Sequence, residues 1–388
     1  MFESRVRAFD VRGFLKRLPI PALVLGGFWV LILFIGSLQG LPVATLISDT
    51  IRRFGMWGLL VLAMAPFIQS GAGPNFALPI GIVCGLLAIV CSVELGFVGV
   101  WWLLSAVVMA IVFASITGYL YGRLLNTVKG SEMIVSTYTG FSFTYLFCII
   151  WMALPFRNHT MSRMLGSGLR SFVNLSSVGG TQIISNFLSF EILRICDTSG
   201  NTSTLWIPDA SKSAEILEGL DVTIVTRFTF PTGMLLVFAA CCFFVWLFFR
   251  TKTGIAISAA GMNPLFAKAS GLCIDRGRVI ANIISTVFAA IGIIIYSQSF
   301  GFAVLYDGPL MMAFQAVAAI LIGGATAHRS KIFHVVIGTL IFQGVLTNVP
   351  PVFNNAFPNT DLSETIRMIV QNGIILFALT RVKVGRNH

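Results

Sequence analysis

The side chains in this chain best suited to chemistry are uncharged, and they stand in or beside long apolar runs. Gln298, Gln315 and Gln343 fall within three separate runs, Asn75 and Phe76 interrupt another, and Thr137 and Tyr138 lie near the start of a further one. Amides, hydroxyls and aromatic rings can hold a neutral polar solute, such as a sugar or nucleoside, without stranding a charge among apolar groups. The same three glutamines also suit interhelical hydrogen bonds that glue spans together, and Tyr138 and Phe143 suit plain packing. Both uses stay open at this level. Other chemistries lack their residues. The four histidines (His159, His328, His334, His388) are scattered at no metal-binding spacing. The sequence has no HExxH, no EF-hand loop, no GxSxG elbow and no GxxxxGK[ST] phosphate loop, so no catalytic or metal constellation can be assembled and ATP has no such site here. The seven cysteines form no CxxC pair and read as small packing residues, five of them within apolar runs.

The elements that must position these groups are membrane helices. The chain has 388 residues, 56% hydrophobic and 11% charged, with a mean hydropathy of +0.89. Soluble domains carry roughly 25% charged residues. A spanning helix needs roughly 20 apolar residues. Ten intervals qualify: 20–38, 55–71, 75–93, 98–122, 133–153, 229–250, 277–298, 309–324, 333–348 and 366–381. The expectation is an all-α, polytopic transmembrane bundle of about ten spans, whose first run is too long for a signal peptide and reads as a retained helix. The net charge of +11 does not point to nucleic acid, because basic residues cluster at the ends of apolar runs. The basic tail 1–19 and the loops 123–132, 251–276, 325–332 and 382–388 share one side, giving an N-in, C-in orientation. Arg52 and Arg53 break that bias, since the count places them outside; an interfacial helix with charges reaching lipid headgroups accommodates them.

The pattern divides the chain into a first half at 20–153, an exterior loop-rich insertion at 154–228, and a second half at 229–388. Within the insertion, Ile183 to Ile195 has helical spacing, and Ser211 to Gly219 fits a short helix with Glu215 and Glu218 on one face. The insertion is either a solvated cap or a contact surface for an exterior partner. Asn158-His159-Thr160 and Asn201-Thr202-Ser203 match the glycosylation pattern, which chance supplies often. Two segments carry more information. Gly71 to Gly81 holds Gly, Pro and Asn inside an apolar stretch and must break a helix near 73–81. Such a break either lines a polar cavity or is a turn between spans. In the basic loop 251–276, Asn263 is an N-cap, Pro264 a first-turn residue and Gly271 a C-cap. A short helix is expected there, apolar on part of its surface and suited to a partner's groove.

This loop resembles the cytoplasmic loop of bacterial ABC-importer permeases of the ribose and nucleoside type, whose pattern is roughly T-x-x-G-x-x-x-R-A-x-G-x-N-P-x-A-A-x-x-x-G-I. Thr253, Gly254, Ala259, Gly261, Asn263, Pro264, Ala267 and Gly271 fit it. Ser258, Lys268 and Leu272 depart from it. Glu132 to Thr137 looks like the nucleoside branch's E-V-I-x-T stretch, and Ile322 to Ala325 like the family's I-G-G segment. The resemblance implies a multi-pass permease of the bacterial inner membrane. Two such permeases, identical or different, would enclose a path worked by alternating access, with ATP and Mg²⁺ used by separate ATPase chains and an extracytoplasmic binding protein above. This chain would hold no cofactor itself. Gly261, Asn263, Pro264, Leu265, Phe266, Ala267, Lys268 and Gly271 would form the ATPase-coupling helix. Asn75, Phe76, Thr137, Tyr138, Gln298, Gln315 and Gln343 would line the path. The solute would be small, neutral and polar, nucleoside before sugar. An ion-coupled carrier is the alternative, and the scarcity of carboxylates within the spans counts against its proton-driven form.

Overall fold

A computed structural model describes residues 19–128, 130–154, 171–176, 180, 183–197, 202–208, 222–306, 308–357 and 363–380. The basic tail before Pro19, the segment Ser211–Gly219 and the triplet at Asn158 lie outside the described residues.

Apolar runs become helices where expected. In chain order they are α1 (Ile20–Leu38), α2 (Val43–Leu62), α3 (Met64–Gln69), α4 (Leu78–Glu94), α5 (Val100–Thr127) and α6 (Glu132–Ala153). After the insertion, which includes the short α7 (Ile183–Asn186), come α8 (Thr232–Phe248), α9 (Lys252–Met262), α10 (Pro264–Ala269) and α11 (Ile274–Phe300). The last three are α12 (Gly308–Ile322), α13 (Ile332–Ala356) and α14 (Ser363–Thr380). Among the described residues six helical spans are long and apolar enough to cross a bilayer, α2 and α3 counting as one of 27 residues; α8 with α9 makes a seventh, bent by 78°. The apolar helices α4 and α12 are shorter.

The span expected at 55–71 starts twelve residues earlier, at Val43. Asp49, Arg52 and Arg53 dilute its hydropathy, yet Leu46, Ser48 and Thr50 on the same turns are buried. Arg52 and Arg53 therefore lie on the same continuous helix as the apolar run that follows them.

Helix α11 is the centre of the bundle and packs on α2, α4 and α5. Small residues let these backbones approach, as membrane helices require where the hydrophobic effect gives no drive. Helices α1, α5 and α6 keep most of their apolar surface outward.

The all-α expectation needs correcting in the insertion. Strands β2 (Phe190–Asp197), β3 (Thr202–Ile207) and β4 (Val222–Phe230) form an antiparallel sheet in the order β3-β2-β4. The helical spacing read from Ile183 holds only to Asn186. From Phe190 the pattern has period two: Glu191, Leu193 and Ile195 are buried, while Arg194 is exposed. Leu193 faces Leu205 on one side and Arg227 on the other, and the ladder slips between Arg194 and Ile195. A second, two-stranded antiparallel pair joins β1 (Phe172–Asn174) to β5 (Phe302–Val304), fastening the insertion to the end of α11.

The three-stranded sheet is bolted to the start of α2. Ser48 Oγ donates to the Thr229 carbonyl (2.8 Å) and accepts from the Thr229 amide (2.9 Å). Thr45 Oγ1 accepts from the Arg227 amide at 3.4 Å. The fully buried Glu191 carboxylate pairs with Arg227 and accepts from Thr229 Oγ1 at 3.1 Å.

Candidate coupling and solute sites

At the end of the bundle opposite the sheet, the loop after α8 folds into two helices. Thr251 caps α9, its hydroxyl accepting from the Gly254 amide at 3.2 Å. Asn263 caps α10, its Oδ1 accepting from the Phe266 amide at 3.1 Å, and Pro264 occupies the first turn, where no amide hydrogen is needed. Gly271 closes α10 with φ +75°. The Leu272 amide reaches the Ala267 carbonyl (3.0 Å) and the Gly271 amide that of Lys268 (3.1 Å), a complete Schellman ending. The result is a short helix fixed at both ends. Ala267 is fully buried and anchors it. Leu265 is 83% and Phe266 64% exposed, and Lys268 also faces outward.

Gly261 brings this unit against the break in the first half. A Cβ on Gly261 would lie 2.8 Å from the Gly71 amide nitrogen and nearer still to the Gln69 carbonyl oxygen. Only glycine permits that approach. Gln69, the last residue of α3, completes the junction: its Nε2 donates to the Ser330 carbonyl (2.6 Å) and its Oε1 accepts from Ser258 Oγ (3.0 Å). Ser258, where the family pattern has Arg, thus bonds within the chain.

The segment between α3 and α4 is a tight turn enclosed by protein. Gly71 and Gly73 have φ of +81° and +82°. Asn75 is fully buried; its Nδ2 donates to Ser285 Oγ (3.1 Å) and its Oδ1 accepts from the Ala77 amide (3.0 Å). Ser136 Oγ accepts from the same amide at 2.8 Å. Asn75 therefore ties the start of α4 to α11 at Ser285, and the Ala77 amide ties it to α6 at Ser136.

The other candidate path residues are dispersed. Phe76 is half-buried, 6.0 Å from the Phe314 ring, which stands 6.1 Å from Phe141. Thr137 bonds its own helix at Met133, and Tyr138 is 69% exposed on α6. Gln298 is buried near the sheet-bearing end, where it accepts from the Ile184 amide (3.2 Å) and donates to Ser299 Oγ (2.9 Å). Gln315 is buried on α12. Gln343 is buried on α13, with an Nε2 that meets no partner among the described residues. Phe141 and Phe314 completed the aromatic group without any signal in the sequence beyond their apolar spans.

Charges gather at the sheet-bearing end. A cavity of 460 Å³ opens there between α2, α13 and α14, lined by Asp49, Arg52, Arg53, Thr347, Glu364 and Arg367 among others. The departure of Arg52 and Arg53 from the charge bias was its only trace in the sequence.

A bundle of apolar helices with an exposed, doubly capped helix on one end and a polar cavity at the other has the build of a multi-pass membrane protein. Residues 46–379 match the family described as the branched-chain amino acid transport system / permease component, and the chain belongs to that family, a protein of the inner membrane. It is similar to the galactose/methyl galactoside import permease protein MglC of Salmonella typhimurium (strain LT2), at 30% identity over 139 residues. That alignment covers 35% of this chain and 39% of the relative's length. No solved structure matches the chain.

Proposed function

We propose that this chain is the membrane-spanning subunit of an ATP-driven importer, and that α10 is the helix through which a separate ATPase drives it. The observation that carries this reading is α10 itself. It exposes Leu265 and Phe266 at the end of the bundle and is fixed by two caps, and Gly261, which the structure places in the preceding α9 rather than in α10, seats the pair on the backbone of the buried turn. Exposed apolar side chains on a rigid short helix need a partner's groove. An ion-coupled carrier has no use for such a feature.

The chain crosses the membrane ten times in this reading, with both termini cytoplasmic. Support comes from the alternation of helix ends: Gln69, Ser258 and Ser330 meet at one end, Ser48 and Thr229 at the other. A second permease copy or a related permease covers α6, whose outward face includes Tyr138. An extracytoplasmic binding protein sits over the sheet. Alternating access exposes the region of Asn75, Phe76, Thr137, Gln315 and Gln343 to each side in turn, ATP binding and hydrolysis shifting the populations. The solute is small and hydroxyl-rich. The relative's galactoside substrate favours a sugar, and the Glu132–Thr137 stretch keeps a nucleoside in view.

Purification from the native host in mild detergent, with attached chains identified by mass spectrometry, tests this. Two copies of a phosphate-loop ATPase are expected. Recovery of the chain alone in several detergents sinks the importer reading and leaves the ion-coupled carrier.

A further inference from the structure

Arg52 and Arg53 sit in a spanning helix at the end where basic residues are otherwise sparse. Ionisable side chains in such helices are costly unless they pair or face a water-filled space. Neither arginine makes a hydrogen bond or ion pair among the described residues, although Asp49 stands one turn earlier on the same helix. Both line the 460 Å³ cavity, joined from α14 by Arg367. Arg367 bonds Glu364 at 3.3 Å, a carboxylate that is itself 65% exposed. Among the described residues three guanidiniums therefore face two carboxylates, and two of the three have no bonded counter-charge. Guanidinium groups in such a cluster match a carboxylate or phosphate through paired N–H donors.

The opposite wall offers acceptors. Pro350 and Pro351 lie inside α13 and have no amide hydrogen for the carbonyls of Leu346 and Thr347 one turn back. Leu346 and Thr347 both line the cavity. Donors that suit an anion on one wall and acceptors that suit hydroxyls on the other describe one kind of ligand.

We propose that this cavity binds a polyol carrying a phosphate or carboxylate, as an entry site on the solute path, so that the solute is an acidic or phosphorylated sugar rather than a neutral one. The assignment to the path rests on the importer reading; the binding chemistry does not. Two sources supply such a group: a soluble sugar derivative, or the headgroup of phosphatidylglycerol.

The test uses the purified full chain in nanodiscs of phosphatidylcholine alone, with no ATPase required. The probes are glucose 6-phosphate, glucuronate and glucose, titrated by calorimetry. At least one charged probe is expected to bind ten-fold or more tightly than glucose. Arg53→Gln and Arg367→Gln should each weaken it at least ten-fold, while Arg250→Gln, at the far end of α8, leaves it unchanged. Arg53→Lys, which keeps the charge but loses the fork, should fall between, and it serves if Arg53→Gln proves unstable. A second arm adds phosphatidylglycerol and counts retained lipid by native mass spectrometry. Lipid retained by the parent chain and lost in the Arg53 and Arg367 variants, with no soluble probe bound, overturns the entry-site assignment and makes the cavity a lipid site. Equal binding of glucose, or binding that survives both variants, overturns the proposal altogether. Failure to recover an ATPase would overturn the importer reading and leave these titrations intact.

Discussion

Replacing Gly261 by alanine should loosen the α9–α10 unit while leaving the rest of the bundle unchanged. The added Cβ would stand 2.8 Å from the Gly71 nitrogen and closer to the Gln69 carbonyl oxygen, with backbone on both sides and no rotamer to absorb the clash. Unstrained contacts of this kind lie near 3.5 Å, so α9 has to retreat by about 1 Å. Ser258 Oγ, now 3.0 Å from Gln69 Oε1, then moves to about 4 Å and its hydrogen bond is lost. Overpacking of this sort costs about 1–3 kcal/mol and the lost bond about 1 kcal/mol, a total of about 2–4 kcal/mol. Every 1.4 kcal/mol is tenfold, so amide hydrogen exchange across 252–271 should accelerate by roughly 30-fold or more. Exchange in α13 should not change, and solute uptake should fall with ATP hydrolysis retained in the complex. An acceleration below about two-fold would refute the claim that Gly261 holds this junction together.

The caps make a second prediction: Asn263→Ala leaves the Phe266 amide unmet and costs about 1 kcal/mol, enough to fray a six-residue helix, which co-purification of the ATPase would report as reduced recovery. The buried pair in the sheet should respond asymmetrically. Arg227→Ala strands the fully buried Glu191 carboxylate and costs about 3 kcal/mol, whereas Glu191→Ala frees a guanidinium that is already 55% exposed and costs about 1 kcal/mol; protease resistance of residues 190–230 orders the two. At Gly73, where φ is +82°, leucine adds about 1–2 kcal/mol of left-handed strain and should abolish uptake, with membrane insertion preserved on a blot of the membrane fraction.

What the sequence made legible was what local chemistry decides. Apolar length placed the helices, and Asn263, Pro264 and Gly271 placed α10 to within one residue, because caps act over one turn. The three-stranded sheet was illegible for a specific reason. Phe190 to Cys196 has apolar residues at positions compatible with either period, and pairing with β4, more than twenty-five residues on, selected the strand. Gln298 fits by its type either a path residue or a bonding residue between elements, and its bond from the Ile184 amide is one that no local pattern announces; a polar side chain in a span does not itself say what it bonds. The arginine cavity assembles from residues 49–53, 347–351 and 363–367, and no local pattern links those three segments.

The contacts at the two ends of the bundle converge on one piece of chain. Ser48 holds the three-stranded sheet, Gln69 holds α9 and the loop at Ser330, and α2 with α3 connects them over a helical rise of about 30 Å. An element bonded at both ends to moving parts transmits displacement only if its ends respond together, which is a claim about coupling energy rather than proximity. Ser48→Ala and Gln69→Ala measure it. Sites this far apart, without shared partners, ordinarily have additive effects within about 0.5 kcal/mol. If α2–α3 carries the signal between the sheet and α10, either substitution alone breaks the linkage, and the double variant should take up solute no more slowly than the worse single one. If the two ends act independently, the fold-losses multiply, and the sheet is then an anchor for the insertion with no part in driving the cycle.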